Sequence, residues 1–225
     1  MICAVVPIKA FRSAKSRLGA KLDPDQRAAL SKASAIRVLT AFLECTTIDR
    51  RIAVVEDEET ARLARKHHFE TLLRPELPGQ SAAVEAGFEE GRRHGAETVI
   101  TVSADVPLTR ARDIAQLLKP RGPVLVMVSN REGEGTNALR LSPAQPLRMH
   151  FGPGSLAQHR REAAAIGLAV KVIDNPRLRI DIDTPDDLDV LEKSGPDGRR
   201  VLIEAGRFRL EEVLEEEWAA RSRPA

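Results

Sequence analysis

The sequence predicts an α/β fold: a mostly parallel sheet with helices on both of its faces. Three observations carry that prediction. Short apolar runs alternate with capped or amphipathic segments up to about residue 123, the order of strands joined by helical crossovers. Two aspartate-proline turns far apart in the chain, Ser103-Ala104-Asp105-Val106-Pro107 and Asp181-Ile182-Asp183-Thr184-Pro185-Asp186-Asp187, each follow such a run. At 225 residues the chain can also bury a full core within one domain.

The elements follow in order. Residues 2–6 form the first expected strand, and a basic loop over 7–21 leaves it. Asp23-Pro24 opens a helix lasting to about residue 44, with the aspartate as cap and the proline in the first turn. A buried strand over 52–55 leads to a helix begun by Asp57 and lasting to about residue 67, then to a third strand over 69–73. Pro78-Gly79 turns the chain into a helix over 81–94, closed by Gly95. A strand over 98–102 precedes the first aspartate turn and a helix over about 109–118.

After Pro123 the rhythm changes. A buried strand over 124–128 is followed by residues 133–141, which show no helical pattern before Pro143. A helix over 155–166 and strands over 168–173 and 178–182 complete this half, which is expected to contain antiparallel pairing. The expected organisation is one domain over 1–194, with halves at 1–123 and 124–194, and a C-terminal extension over 195–225. A terminal helix over 209–221 carries Leu210, Val213, Leu214 and Trp218 near one face, and is expected to pack on the domain or on a second subunit of a homodimer.

Composition excludes several classes. The net charge is +2 with 30% charged residues, so no electrostatic footprint for a polyanion stands out. Aromatics are 3% and tyrosine is absent, which leaves little to stack on unpaired bases. Nucleic acid is therefore not an expected partner. Cys3 and Cys45, both in apolar settings, read as buried free thiols of a reducing compartment. With no signal peptide pattern and no run long enough to span a membrane, the expectation is a cytoplasmic protein.

The chemistry is read at strand ends, where ligands collect in open α/β sheets. Alternation along a strand would place Asp181 and Asp183 on one side. With Asp105 they would form a hard, oxygen-rich site suited to Mg²⁺, which usually also binds substrate phosphate. The competing reading is that aspartates cap the helices that follow, and Asp186 and Asp187 are assigned that role. Pro7, Lys9, Lys15, Ser16 and Arg17 leave the first strand within one short segment. Cations and backbone N–H groups in that place suit a triphosphate, although an ordinary basic surface loop reads equally well from these residues alone. Together with the acidic site they point to a nucleotide with Mg²⁺, and to phosphoryl or nucleotidyl transfer. Gly133-Glu134-Gly135-Thr136-Asn137-Ala138 satisfies a dinucleotide fingerprint, but Pro143 leaves no room for the helix that motif requires. A P-loop pattern is absent.

Five motifs in order carry a family resemblance. They are Val6-Pro7-Ile8-Lys9 with Ala14-Lys15-Ser16-Arg17-Leu18; Ser103-Ala104-Asp105-Val106-Pro107; Gly133-Glu134-Gly135-Thr136-Asn137-Ala138-Leu139; Phe151-Gly152-Pro153-Gly154-Ser155; and Asp181-Ile182-Asp183-Thr184-Pro185-Asp186-Asp187-Leu188. Over about residues 2–191 the chain resembles the phospholactate guanylyltransferase family of coenzyme F-420 biosynthesis. The resemblance implies a Rossmann-like fold of the nucleotide-diphospho-sugar-transferase type, with a small acceptor-binding subregion. It implies transfer of GMP from GTP to a three-carbon phospho-acid (2-phospho-L-lactate, phosphoenolpyruvate or 3-phospho-D-glycerate) with release of pyrophosphate, and a labile product handed to a downstream transferase.

By the same resemblance Asp105, Asp181 and Asp183 are Mg²⁺ ligands, and Lys15 and Arg17 face the GTP phosphates. Thr136, Gly152 and Ser155 hold the phospho-acid. Where the family has Leu-Asn after the glycine of the nucleoside loop, this chain has Gly79-Gln80-Ser81, and Gly79 and Ser81 are the nucleoside-side candidates. A related nucleotidyltransferase with a molybdopterin or sugar phosphate acceptor, a non-catalytic nucleotide-binding regulator and a homodimeric scaffold remain alternatives.

Overall fold

The central strand, β1 (Ile2–Ile8), sorts its side chains by parity. Ala4, Val6 and Ile8 enter one core layer, and Cys3 and Val5 enter the other. This is the period of two of an extended chain, and burial on both faces makes the strand one unbroken apolar run. The structure, a computed structural model, describes residues 1–206.

β2 (Arg50–Val55), β3 (Glu70–Leu73) and β4 (Thr98–Val102) form a parallel set with β1. β5 (Val124–Ser129), β6 (Thr136–Ser142) and β7 (Ala169–Val172) extend it to a seven-stranded sheet of order β3-β2-β1-β4-β6-β5-β7. The antiparallel pairing expected after Pro123 is centred on β6, which runs against both β4 and β5. The glycine-rich 133–138 segment is thus the turn and first residues of a hairpin strand, with no nucleotide-binding helix after it.

Helices cover both faces, as expected. α1 (Pro24–Glu44), α2 (Glu58–Lys66) and α4 (Ala111–Leu118) pack on the Val6 side, through Val38, Phe42, Ala64 and Leu117 among others. α3 (Gly79–Arg93) and α5 (Ser155–Ala165) cover the Val5 side. α1 begins where the sequence places it: the Asp23 carboxylate accepts from the Gln26 N–H, with Pro24 in the first turn. α3 lies unusually close to β1, since a Cβ at Gly87 would meet Val5 Cγ1 at 2.3 Å. Cys3 and Cys45 are free and buried.

Two expectations need correction. Residues 178–182 form no strand: they belong to a turn and an extended stretch outside the sheet. Asn175 takes the place of a ladder there, its side-chain oxygen accepting from the Arg177 and Leu178 N–H groups at 3.0 and 2.9 Å. A local side-chain bond of this kind competes with sheet pairing for the same backbone groups. The second concerns residues 195–206, assigned above to an extension. Gly195-Pro196 starts α7 (Pro196–Glu204) rather than leaving the domain. Val201 and Leu202 are fully buried against Leu18 and Leu30 and against Leu188 of α6 (Pro185–Lys193). Packing therefore continues to Ala205. The helix expected over 209–221 lies outside the described residues.

The order 3-2-1-4 places the site. The chain winds outward from β1 through β2 to β3, then returns to the other side of β1 as β4. The crevice beyond the carboxyl ends of β1 and β4 is such a sheet's switch point, where ligands bind.

Candidate active site

A cavity of about 310 Å³ opens at that switch point. Of the residues singled out from the sequence, Pro7, Lys9, Lys15, Ser16, Gly79, Asp105 and Asp183 line it, together with Glu56, Arg74, Gln80 and Ser103. Arg17, Ser81, Asp181, Thr136, Gly152 and Ser155 stand outside the lining. Glu56 and Arg74 were not foreseen, although each directly follows a strand and so lies at the same carboxyl edge of the sheet as Asp105, three residues past β4. The Glu56 carboxylate accepts from the Ala10 N–H at 2.9 Å and so ties the basic loop to β2.

Lys15 is the focus of the charge distribution. Its Nζ donates to Asp105 Oδ2 and to Asp183 Oδ1, each at 3.0 Å, and its side chain is 5% exposed. Burial alone would favour the neutral amine. The charges of Asp105 and Asp183 outweigh it and raise the Lys15 pKa above its ordinary value. Lys15 reaches this place from a left-handed backbone at φ +60°, a conformation that non-glycine residues adopt only under constraint.

The two aspartate turns are joined through backbone and side chain. The Ile182 N–H donates to the Asp105 carbonyl at 3.2 Å. Asn137 Nδ2 donates to the Leu178 carbonyl and to Asp181 Oδ1, both at 3.1 Å. Burial and the charge of Asp105 push Asp181 up to about 6 in spite of the Asn137 bond. Among the described residues no set of three carboxylate, histidine or cysteine side chains is arranged as a metal cluster. Asp187 caps α6 as expected, accepting from the Asp183 and Thr184 N–H groups at 3.0 and 2.7 Å.

The other predicted cluster assembles on the far side of β6. Pairing between β5 and β6 skips Asn137: Val128 faces Ala138, and Ser129 faces Thr136. A bulge re-aims side chains. Here it lets Asn137 reach Asp181 while Thr136 meets α5. Ser155 Oγ donates to Thr136 Oγ1 at 3.3 Å, and Thr136 Oγ1 lies 3.1 Å from His159 Nδ1. All three side chains are buried. Gly152, at φ +112°, offers its carbonyl to the Ser155 N–H at 3.2 Å, so the turn into α5 needs a residue without a Cβ. Ser81 joins the two halves: its Oγ accepts from the Phe151 N–H at 2.8 Å. Gln80, in turn, donates to Ser103 Oγ at 2.6 Å inside the cavity. His159 was also unforeseen. Its spacing of one helical turn from Ser155 is the signal that could have found it.

Residues 2–200 match the family model described as "Guanylyl transferase CofC like". This chain belongs to that family. It is 37% identical over 193 residues to phosphoenolpyruvate guanylyltransferase of Conexibacter woesei, covering 84% of this chain and 86% of that protein. It is 30% identical over 202 residues to 2-phospho-L-lactate guanylyltransferase of Methanothermobacter thermautotrophicus, covering 89% of each. It is also 30% identical over 202 residues to 3-phospho-D-glycerate guanylyltransferase of Phenylobacterium zucineum, covering 88% and 92%. In fold it is similar to the crystal structure of a provisionally assigned nucleotide-diphospho-sugar transferase from Desulfovibrio desulfuricans G20, with TM-score 0.70, 13% identity and 87% of each chain covered. The resemblance read from five motifs and the α/β fold are thus both met. No helix among the described residues is long and apolar enough to cross a membrane.

Proposed function

We propose that this guanylyltransferase-family protein transfers GMP from GTP to a small phospho-acid (2-phospho-L-lactate, phosphoenolpyruvate or 3-phospho-D-glycerate), releases pyrophosphate, and serves coenzyme F-420 biosynthesis. One observation carries the reading: a buried, charged Lys15 held by Asp105 and Asp183 at the mouth of the switch-point cavity. The names of the family relatives supply the substrate classes.

The donor set fits Mg²⁺. Oxygens of Asp105 and Asp183 already converge on a single cationic atom, and Mg²⁺ is commonly held by one or two carboxylates with substrate phosphate and water completing its shell. Asp105 and Asp183 would hold it, with Asp181 beside them. When bound, the ion would offset charge on the attacking and leaving oxygens. Lys15 would then turn its Nζ to the triphosphate, and Lys9, Ser16 and Arg17 flank the same loop. A phosphate oxygen of the acceptor attacks the α-phosphorus of GTP. The bond from that phosphorus to the bridging oxygen breaks, and pyrophosphate leaves with the bonding electrons. No general base is required, because a phosphate monoester is already ionised at neutral pH. Thr136, Gly152 and Ser155 are assigned to the phospho-acid, Pro7 and Gly79 to the nucleotide. We further propose that the labile anhydride product passes to a downstream transferase and that the protein forms a homodimer.

The test is pyrophosphate release from GTP with Mg²⁺, with and without each acid. Release should require a phospho-acid and should not be driven by a sugar phosphate. Release driven by a sugar phosphate alone would assign another acceptor class. Nucleotide binding without release under any condition would favour a regulator.

A further inference from the structure

His159 takes no part in the chemistry above, yet it is fully buried in α5. Its ring nitrogens have different partners. Nε2 lies 2.9 Å from the His150 backbone N–H, a group that can only donate, so Nε2 is an acceptor. A neutral imidazole then carries its proton on Nδ1, which faces Thr136 Oγ1 at 3.1 Å. Burial, with a contribution from nearby His150, holds the His159 pKa down at about 4, while Glu162 opposes the shift, so the ring is neutral near pH 7. Edge-on contact with the Phe151 ring, at 5.3 Å between centroids, fixes its plane.

Thr136 Oγ1 also accepts from Ser155 Oγ. A hydroxyl oxygen has two acceptor sites and one donor hydrogen. With both acceptor sites filled, the Thr136 hydrogen is left to point away from His159 and Ser155. The opposite tautomer of His159 would draw that hydrogen to Nδ1 and leave a lone pair facing any ligand, which an anion would avoid.

We propose that His159 is a positioning residue whose Nδ1–H polarises the Thr136 hydroxyl into an obligate donor, so that the acceptor half-site takes an anionic oxygen. This rests on the function proposed above for the Thr136 site and names the residue that gives the site its preference for a carboxylate or phosphate group.

Nitrogen-15 NMR of the wild-type protein at neutral pH should show His159 protonated on Nδ1 and bare on Nε2. His159→Asn places an amide N–H near the Nδ1 position, whereas His159→Gln reaches only the Nε2 position. The first should keep the phospho-acid KM within about threefold of wild type, and the second should raise it about tenfold or more, the worth of a hydrogen bond to a charged group. In both, kcat and the KM for GTP should stay within about threefold, a split that a general loss of packing would not produce. A signal showing Nε2 protonated would overturn the proposal even if neither variant folds. So would folded Asn and Gln variants with equal phospho-acid KM, or a GTP KM rising in parallel. Absence of turnover by the wild type with every phospho-acid would instead sink the proposed function, while the tautomer would still be decided by NMR.

Discussion

Lys15 and Asp105 are 90 positions apart in sequence, and Lys15 and Asp183 are 168 apart, yet each pair meets at 3.0 Å. If those carboxylates hold Mg²⁺, removing their charge should remove catalysis while leaving the fold. Asp105→Asn, and the double change Asp181→Asn with Asp183→Asn, should each lower kcat a hundredfold or more, roughly 3 kcal/mol of transition-state stabilisation. Near-normal rates at saturating metal, with unchanged circular dichroism, would remove the assignment. Thr136→Val and Ser155→Ala should act on the other substrate, weakening the phospho-acid by about 1.5–3 kcal/mol each through KM. A raised GTP KM with an unchanged phospho-acid KM would reverse the two half-sites. At this scale Asp105 and Lys15 were legible because turn chemistry after an apolar run marks a strand end, whereas Asp181 and Asp183 were read from a strand at 178–182 that does not form. The ion pair between Lys15 and Asp105 was not legible, since it depends on how two distant loops meet. His159 was hidden for a similar reason, because its role comes from a backbone N–H and a hydroxyl on other segments.

Elements were legible where one local signal fixed them. Asp23 and Asp57 cap helices where expected, and β4 occupies the predicted residues. The stretch at 178–182 misled because Leu178 and Ile182 are buried without being in the sheet. It is held instead to α4, where Arg177 Nε donates to Asp113 Oδ2 at 2.8 Å, Arg177 Nη2 bonds Asp113 Oδ1, and Asn175 Nδ2 donates to Oδ1 at 2.9 Å. Asp113 is 1% exposed. Burial works to raise its pKa, but the bonds from Arg177 and Asn175 outweigh burial and lower it. A depressed carboxylate contributes stability that is present above its unfolded value, near 3.9, and lost as pH falls through the folded value. Arg177→Leu should therefore cost about 2–3 kcal/mol near pH 7, with the gap to wild type closing below about pH 4. Urea unfolding across pH checks this. A gap that stays constant from neutral to acid would mean that the pair does not hold the segment.

For the whole molecule, alternation of strands and helices was enough to place the chemistry at strand ends, while the crevice between β1 and β4 followed only from the strand order. That alternation did not reveal that α7 completes the core, because Ser194-Gly195-Pro196 reads equally as a linker or as a helix start. Nucleotide choice belongs to this scale, since the cavity is built from the loops of β1, β2, β3 and β4 together. Ser81 bonds the Phe151 turn and lies outside the cavity lining, so its difference from the family pattern should leave base selection intact. GTP should outcompete ATP, because a site that pairs polar groups of one base leaves them unsatisfied by another. Equal kcat/KM for the two nucleotides would contradict that.

The central claim is that the switch-point cleft joins GMP to a phospho-acid. The most direct measurement is the mass of the product formed from GTP, Mg²⁺ and each of the three acids by wild type and by Asp105→Asn. The expected result is a new species with the mass of GMP joined to one acid through a diphosphate, formed by wild type and absent with Asp105→Asn. Failure to form that species with any of the acids, or its formation at equal rate by the variant, would contradict the account.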